Sequence, residues 1–170
     1  LYAIFSFIKN EGFFMKEIQE NIKKDLVKAA KEGMNNAFTG NGQQSARFGA
    51  AVLTLTENIY AAGQYFSDSL SLTLHAEQAA LAHAAAHGEY AIKAIACIGN
   101  EQAYRMSGGV IYPCHLCKQL LWESHLYSGL DIQIFIVDSN EEIIEQLSIA
   151  SLMHHPWPLK MAPKSHLQSK

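Results

Sequence analysis

The chain is expected to fold as α/β, with a mixed sheet covered by helices on both faces. Three observations predict this. Short apolar runs with strand character, at residues 48–55, 59–62, 92–98 and 132–137, alternate with stretches of helical character. The run Ala94-Ile95-Ala96-Cys97-Ile98 lies in a continuously apolar segment, the signature of a strand buried on both faces. The 170 residues are 49% apolar and 17% charged, the composition of one globular domain large enough to bury a core. No internal repeat and no membrane-spanning run interrupts the pattern.

The elements follow from local chemistry. Residues 16–33 read as an amphipathic helix, because Ile18, Ile22, Leu26, Ala29 and Gly33 recur at three- and four-residue steps. Thr39 to Ser45 is a loop by composition. Residues 48–55 and 59–62 read as a hairpin turning at Glu57-Asn58, and the small residues at 49–51 predict a close neighbour on that strand. Thr73 is the expected N-cap of an Ala-rich helix over 75–87 that Gly88 ends. After the strand at 92–98, residues 99–109 read as a polar loop. Pro113 fits the first position of a helix running to about Tyr127, with Gly129 as its stop. Residues 132–137 are the clearest strand, and Asp138-Ser139-Asn140 is expected to cap a helix over 141–147.

Residues 1–14 are read as an extension ahead of a natural start at Met15, residues 15–160 as one domain, and residues 161–170 as a loose tail. The formal net charge is −3 and the cations are scattered. With no basic field to follow a phosphate backbone, a small substrate is expected, not a nucleic-acid polymer or a membrane. Three cysteines are too few for a disulfide framework, so a reducing, cytoplasmic compartment is expected. Cys97 reads as a buried strand residue and not as a reactive thiol.

Two short stretches carry the chemistry. His75-Ala76-Glu77 and Pro113-Cys114-His115-Leu116-Cys117 together offer two thiolates and one imidazole. That makes three protein ligands for Zn²⁺, the number found in catalytic sites, which leave a fourth position to water. The i, i+3 spacing of Cys114 and Cys117 puts both sulfurs on one side of a first helical turn. Both stretches are expected at helix N-termini, where the helix dipole would lower the thiol pKa values. Glu77 follows His75 closely enough to handle protons at the metal without being a ligand. His115 is expected to face solvent or substrate. His83 lies about 12 Å along the helix from His75, so His83 and His87 are read as exposed or interface residues. A lone C-x-x-C also fits a thiol oxidoreductase, and metal content separates the two readings.

The joint pattern H-x-E … P-C-x-x-C is the signature of zinc deaminases. Leu74 to Ala80 and Pro113 to Gln119 resemble the cytidine deaminases, in particular those whose first zinc ligand is His. Phe48-Gly49-Ala50-Ala51 resembles the V-G-A-A strand of the same family, and the similarity spans about residues 18–158. The resemblance implies a three-layer α/β/α domain with a five-stranded mixed sheet. It implies one Zn²⁺ per subunit held by His75, Cys114 and Cys117, and Glu77 as the catalytic proton carrier. It also implies a nucleoside-like small-molecule substrate and a homodimer or homotetramer whose neighbouring chains complete the sites.

Backbone groups around Ala76 and Pro113 would hold the exocyclic amine and water. The chain departs from the family where substrate is held. The Asn-x-Glu that grips the ribose is replaced in Ala62-Gly63-Gln64-Tyr65-Phe66, and the base-stacking Phe falls on Ala46. The small residue usual between the cysteines is replaced by His115-Leu116. Gln64 is therefore expected either to line the pocket and bond the substrate or to be a plain surface residue. Leu152 to Pro158 resembles the family's C-terminal aromatic segment, so Trp157 either stacks on the base or only packs its own segment. The function implied is zinc-dependent hydrolytic deamination of cytidine, deoxycytidine or a related amino-heterocycle, with release of ammonia. The alternative is a zinc-stabilised deaminase fold that binds without turnover.

Overall fold

The computed structural model describes residues 17–40 and 45–160. The expected extension at 1–14, the start at Met15 and the tail at 161–170 lie outside the described residues, as does part of the 39–45 loop. In order the elements are α1 (Glu20–Asn35), β1 (Phe48–Thr54), β2 (Ile59–Gly63), a 3₁₀ turn (Leu70–Leu72), α2 (Ala76–Ala86), β3 (Ile92–Gly99), α3 (Glu101–Ser107), α4 (His115–Ser128), β4 (Gln133–Val137), β5 (Ile143–Ser148) and α5 (Ile149–Leu152).

The five strands form one sheet in the order β2-β1-β3-β4-β5. Only the β3–β4 pair is parallel, with Ala96 beside Phe135; the other three pairings are antiparallel. A parallel pair needs a long crossover, and α3 and α4 lie within it. Side chains alternate across the sheet as the two-residue period requires. Ala51, Leu53, Ala96, Phe135 and Val137 pack with Leu26, Val27 and Ala30 of α1. Ala50, Val52, Cys97, Ile134 and Ile136 pack with Ala80 and Ala84 of α2 and with Leu121 and Trp122 of α4. The result is the three-layer α/β/α domain with a five-stranded mixed sheet that the resemblance implied.

The close neighbour expected at residues 49–51 is α1. A Cβ on Gly49 would collide with the carbonyl oxygen of Ala30, and one on Gly33 would sit 2.6 Å from the carbonyl oxygen of Ala62. Glycine at both positions lets the helix backbone rest directly on β1 and β2.

Four local expectations are corrected. Residues 141–147 form an edge strand, not a helix. The Asp138 carboxylate accepts the N–H groups of Asn140 and Glu142, both at 2.9 Å, and so closes a hairpin turn with the bonds a helix cap would use. Residues 101–107, read as loop, form α3, because Asn100 caps it by accepting from the Ala103 N–H at 3.0 Å. The N-cap of α2 is His75 and not Thr73, whose N–H instead closes the preceding 3₁₀ turn on Leu70. The N-cap of α4 is Cys114, which puts Pro113 one residue ahead of the cap instead of inside the helix.

Candidate metal centre and cavity

The two helix starts bring the expected ligands together. His75 and Cys114 are both cap residues, held in extended backbone at the point where each helix begins. The first turn of α2 is fixed by Gln78, whose side-chain oxygen accepts the His75 N–H at 3.0 Å. The chain leading into it is pinned by two reciprocal backbone bonds of 3.0 Å between Tyr65 and Leu74. The Cys114 sulfur lies 3.2 Å from His75 Nδ1, the Cys117 sulfur 3.4 Å from the same nitrogen, and the two sulfurs 3.5 Å apart.

This triangle fits zinc. Tetrahedral Zn²⁺, with bonds of about 2.3 Å to sulfur and about 2.0 Å to nitrogen, has ligand–ligand edges of about 3.5–3.8 Å. Among the described residues, no other group of three His, Cys, Asp or Glu donors converges in this way. Without a bound cation, burial first and the charge of Glu77 next push the Cys117 thiol far up. A zinc ion held here would favour its thiolate. Cys97, wholly buried in β3, is likewise pushed up by burial, as an inert core thiol should be.

Glu77 sits in the first turn of α2 and is 9% exposed. Burial raises its carboxyl above the ordinary range, opposed by its own backbone N–H, by Cys117 and by His75. Among the described residues it forms no ion pair. It lines a cavity of about 510 Å³ together with His75, Ala76 and Cys114.

The rest of that cavity was only partly foreseen. Ala76 and Gln64 line it, and Gln64 also donates its amide N–H to the Ala46 carbonyl at 3.2 Å. Pro113 is buried between the lining residues Tyr112 and Cys114 but is not itself part of the wall. Trp157 is absent from this wall. Trp157 is 78% exposed, while its carbonyl accepts from Gln119 at 2.7 Å and the next carbonyl, of Pro158, accepts from Trp122 at 2.8 Å. The segment is thus tied to α4 by its backbone, and the idea that the ring packs it down is corrected.

The lining residues that sequence reasoning missed are chiefly Phe48, Phe66, Leu70, Met106 and Ile111. A signal existed for two of them. Extended chain turns every second side chain the same way, so Phe66 shares a side with Gln64, and Phe48 with Ala46. Met106 gave no signal, because α3 was not foreseen. His115 is exposed. His83 and His87 are exposed as well; their rings pack on Tyr60 at 5.2 and 4.8 Å and donate to the carbonyls of Ala61 and His83.

Comparison with known proteins places this geometry. No curated protein matches the chain. Among solved structures, a cytidine deaminase from Burkholderia pseudomallei superposes with a TM-score of 0.66 at 21% identity, over 82% of this chain and 100% of that one. One from Mycobacterium tuberculosis gives 0.64 at 22% identity, over 84% and 100%. One from Bacillus anthracis gives 0.59 at 20% identity, over 81% and 90%. At these identities the likeness is one of fold. The family model for the cytidine and deoxycytidylate deaminase zinc-binding region matches residues 20–129, a stretch that contains His75, Glu77, Cys114 and Cys117. With the three donors of that region converging at one end of a cavity, the chain belongs to the cytidine and deoxycytidylate deaminase zinc-binding family.

Proposed function

We propose that the protein is a zinc-dependent hydrolytic deaminase that replaces the exocyclic amine of cytidine, deoxycytidine or a related amino-heterocycle with oxygen and releases ammonia. The observation that carries this reading is Glu77, a buried carboxylate in the cavity wall beside the three metal donors, which a purely structural zinc site would not require. When bound, zinc supplies a nucleophile at neutral pH by lowering the pKa of a coordinated water to about 7. His75, Cys114 and Cys117 hold the metal at one end of the cavity. Glu77 takes the proton released by the attacking water and gives it to the ring nitrogen. It then carries a second proton to the amine, so that water and substrate leave as the oxo product and ammonia. The backbone at Ala76, on the wall next to Glu77, orients the amine.

Exposed apolar side chains support assembly with further copies. Leu70, Leu72 and Leu116 are 75%, 67% and 66% exposed, and Tyr65 stacks on Phe38 at 5.0 Å in the open. Exposed apolar side chains of this size support association with a partner surface. A homodimer or homotetramer would cover exposed apolar side chains such as these.

The test is Glu77→Gln with zinc content measured in parallel. The substitution should lower kcat by about 10²–10⁴ while the chain keeps one zinc. Full ammonia release by the variant would overturn the assignment. A wild-type chain that binds ligands tightly and turns over none would be a binding protein on a deaminase fold. No helix among the described residues is long and apolar enough to cross a membrane.

A further inference from the structure

We propose that the outer face of α2 carries a second transition-metal site, where the Nε2 atoms of His83 and His87 bind one Zn²⁺ or Ni²⁺ ion and water fills its remaining positions. The site lies outside the cavity and does not depend on the deaminase reading. The sequence supplies the spacing. His83-Ala84-Ala85-Ala86-His87 sets two imidazoles four residues apart, so they are neighbours on the helix surface. Paired imidazoles at this spacing bind zinc in helical metal motifs. Both histidines are exposed.

The structure adds what spacing cannot. In a histidine, the bond made by one ring nitrogen sets the state of the other. His83 Nδ1 lies 3.0 Å from the Ala61 carbonyl oxygen, and His87 Nδ1 lies 2.9 Å from that of His83. A carbonyl oxygen only accepts, so in each neutral ring Nδ1 holds the hydrogen and Nε2 keeps its lone pair. A metal-ligating histidine has this arrangement, with its other N–H given to a backbone carbonyl that fixes tautomer and ring orientation. Both carbonyls belong to regular elements, β2 and α2.

The two rings are also held side by side. Their centroids are 5.1 Å apart, and both rings pack on Tyr60, at 5.2 and 4.8 Å. The Tyr60 hydroxyl donates to Glu89 at 2.9 Å, which steadies that platform. Two nitrogens bound to one ion at about 2.0–2.1 Å stand no more than about 4.2 Å apart. Rings with this centroid spacing meet that limit by inclining their Nε2 corners inwards. His75 caps the start of α2 and His87 its end, so this ion is distinct from the one at the cavity. It is also the more weakly held, with two imidazoles against an imidazole and two thiolates.

The experiment titrates further Zn²⁺ into the full chain already loaded at the first site, by calorimetry. The titration runs to about 0.1 mM free ion, which fills any site with a Kd of about 10 µM or tighter. Wild type should take up one further equivalent. His83→Asn and His87→Asn are the informative variants. The Asn side-chain N–H stands where His has Nδ1 and still serves the carbonyl, while the Nε2 lone pair is gone. Each variant should bind the further zinc at least tenfold more weakly, with the first zinc and the melting temperature without added zinc unchanged. NMR of the wild-type chain gives a check that needs no variant. Added Zn²⁺ should shift the imidazole resonances of His83 and His87 and leave those of His115 in place. No further uptake by wild type, a further zinc that survives both substitutions, or shifts confined to other histidines would overturn the proposal, whether or not the chain releases ammonia.

Discussion

At one end of the cavity, His75, Glu77, Cys114 and Cys117 stand on the first turns of two helices packed on the central sheet. At the other end, Ala46, Phe66 and Leu70 stand on connecting segments between those elements. The difference assigns separate tasks. Groups that must meet within about half an ångström need backbones fixed by regular hydrogen bonding and a packed core. Groups that select a substituent need shape and polarity, which irregular segments change without disturbing the fold.

The largest expected effect tests the rigid end. Cys114→Ala should lose zinc and with it ammonia release. The wild-type chain at a free zinc concentration a hundred times its Kd should gain about 2.7 kcal/mol of stability, or about 5–10 °C in Tm. The variant should show no such zinc-dependent rise in a melting experiment. A variant that keeps one tightly held zinc would break the comparison, because the ligand set would then lie elsewhere.

Asn100→Ala tests the other end. The Asn100 amide oxygen accepts from Arg47 and Ala103, both at 3.0 Å, and its N–H donates to Ser45 at 3.1 Å. One side chain thereby holds the 45–47 segment of the cavity wall to the end of β3. Its loss should cost about 1–2 kcal/mol in denaturant unfolding. KM should rise several-fold with zinc content unchanged. A parallel loss of zinc would show that the two ends are not separately supported.

A third substitution acts away from both ends. The hydroxyls of Thr54 and Thr56 and the Asn58 amide, with Tyr60 behind them, hold the Glu89 carboxylate down at about 2. Its partners belong to the β1–β2 hairpin, so Glu89 ties the end of α2 to that turn. A carboxyl lowered from 4.5 to about 2 on folding adds stability that is complete above pH 4.5 and lost as pH falls towards 2. Melting temperature in that window should therefore fall less steeply for Glu89→Gln than for wild type. Substrate selectivity at pH 7 should be unchanged. Equal slopes would remove Glu89 from the account.

The smallest effect is expected from Trp157→Ala. A residue this exposed contributes within about 0.5 kcal/mol to the stability of its own chain. If it serves a neighbouring copy, sedimentation should show weaker assembly and titration a weaker substrate affinity. No change in either would leave Trp157 a surface residue.

The sequence alone determined the metal end. Zinc chemistry restricts its donors to a few residue types, and a first helical turn restricts their spacing, so Cys114, Cys117 and His75 were legible as letters. The strands of the sheet centre were legible too, because burial on both faces leaves runs such as 94–98 and 134–137 wholly apolar. Residues 141–147 were not legible. Ile143-Ile144-Glu145-Gln146-Leu147 suits either period, and Asp138 makes the same short bonds in a helix cap as in a hairpin turn. Pairing with β4, Glu145 beside Ile136, decided for the strand. The far wall of the cavity was likewise a tertiary matter. Phe48, Phe66 and Met106 come from β1, a connection and α3, and an apolar side chain carries no mark in the sequence to say whether it faces a core or a cavity. Only the packing of α1 against Gly49 and of α3 against the end of β3 sets them around one space.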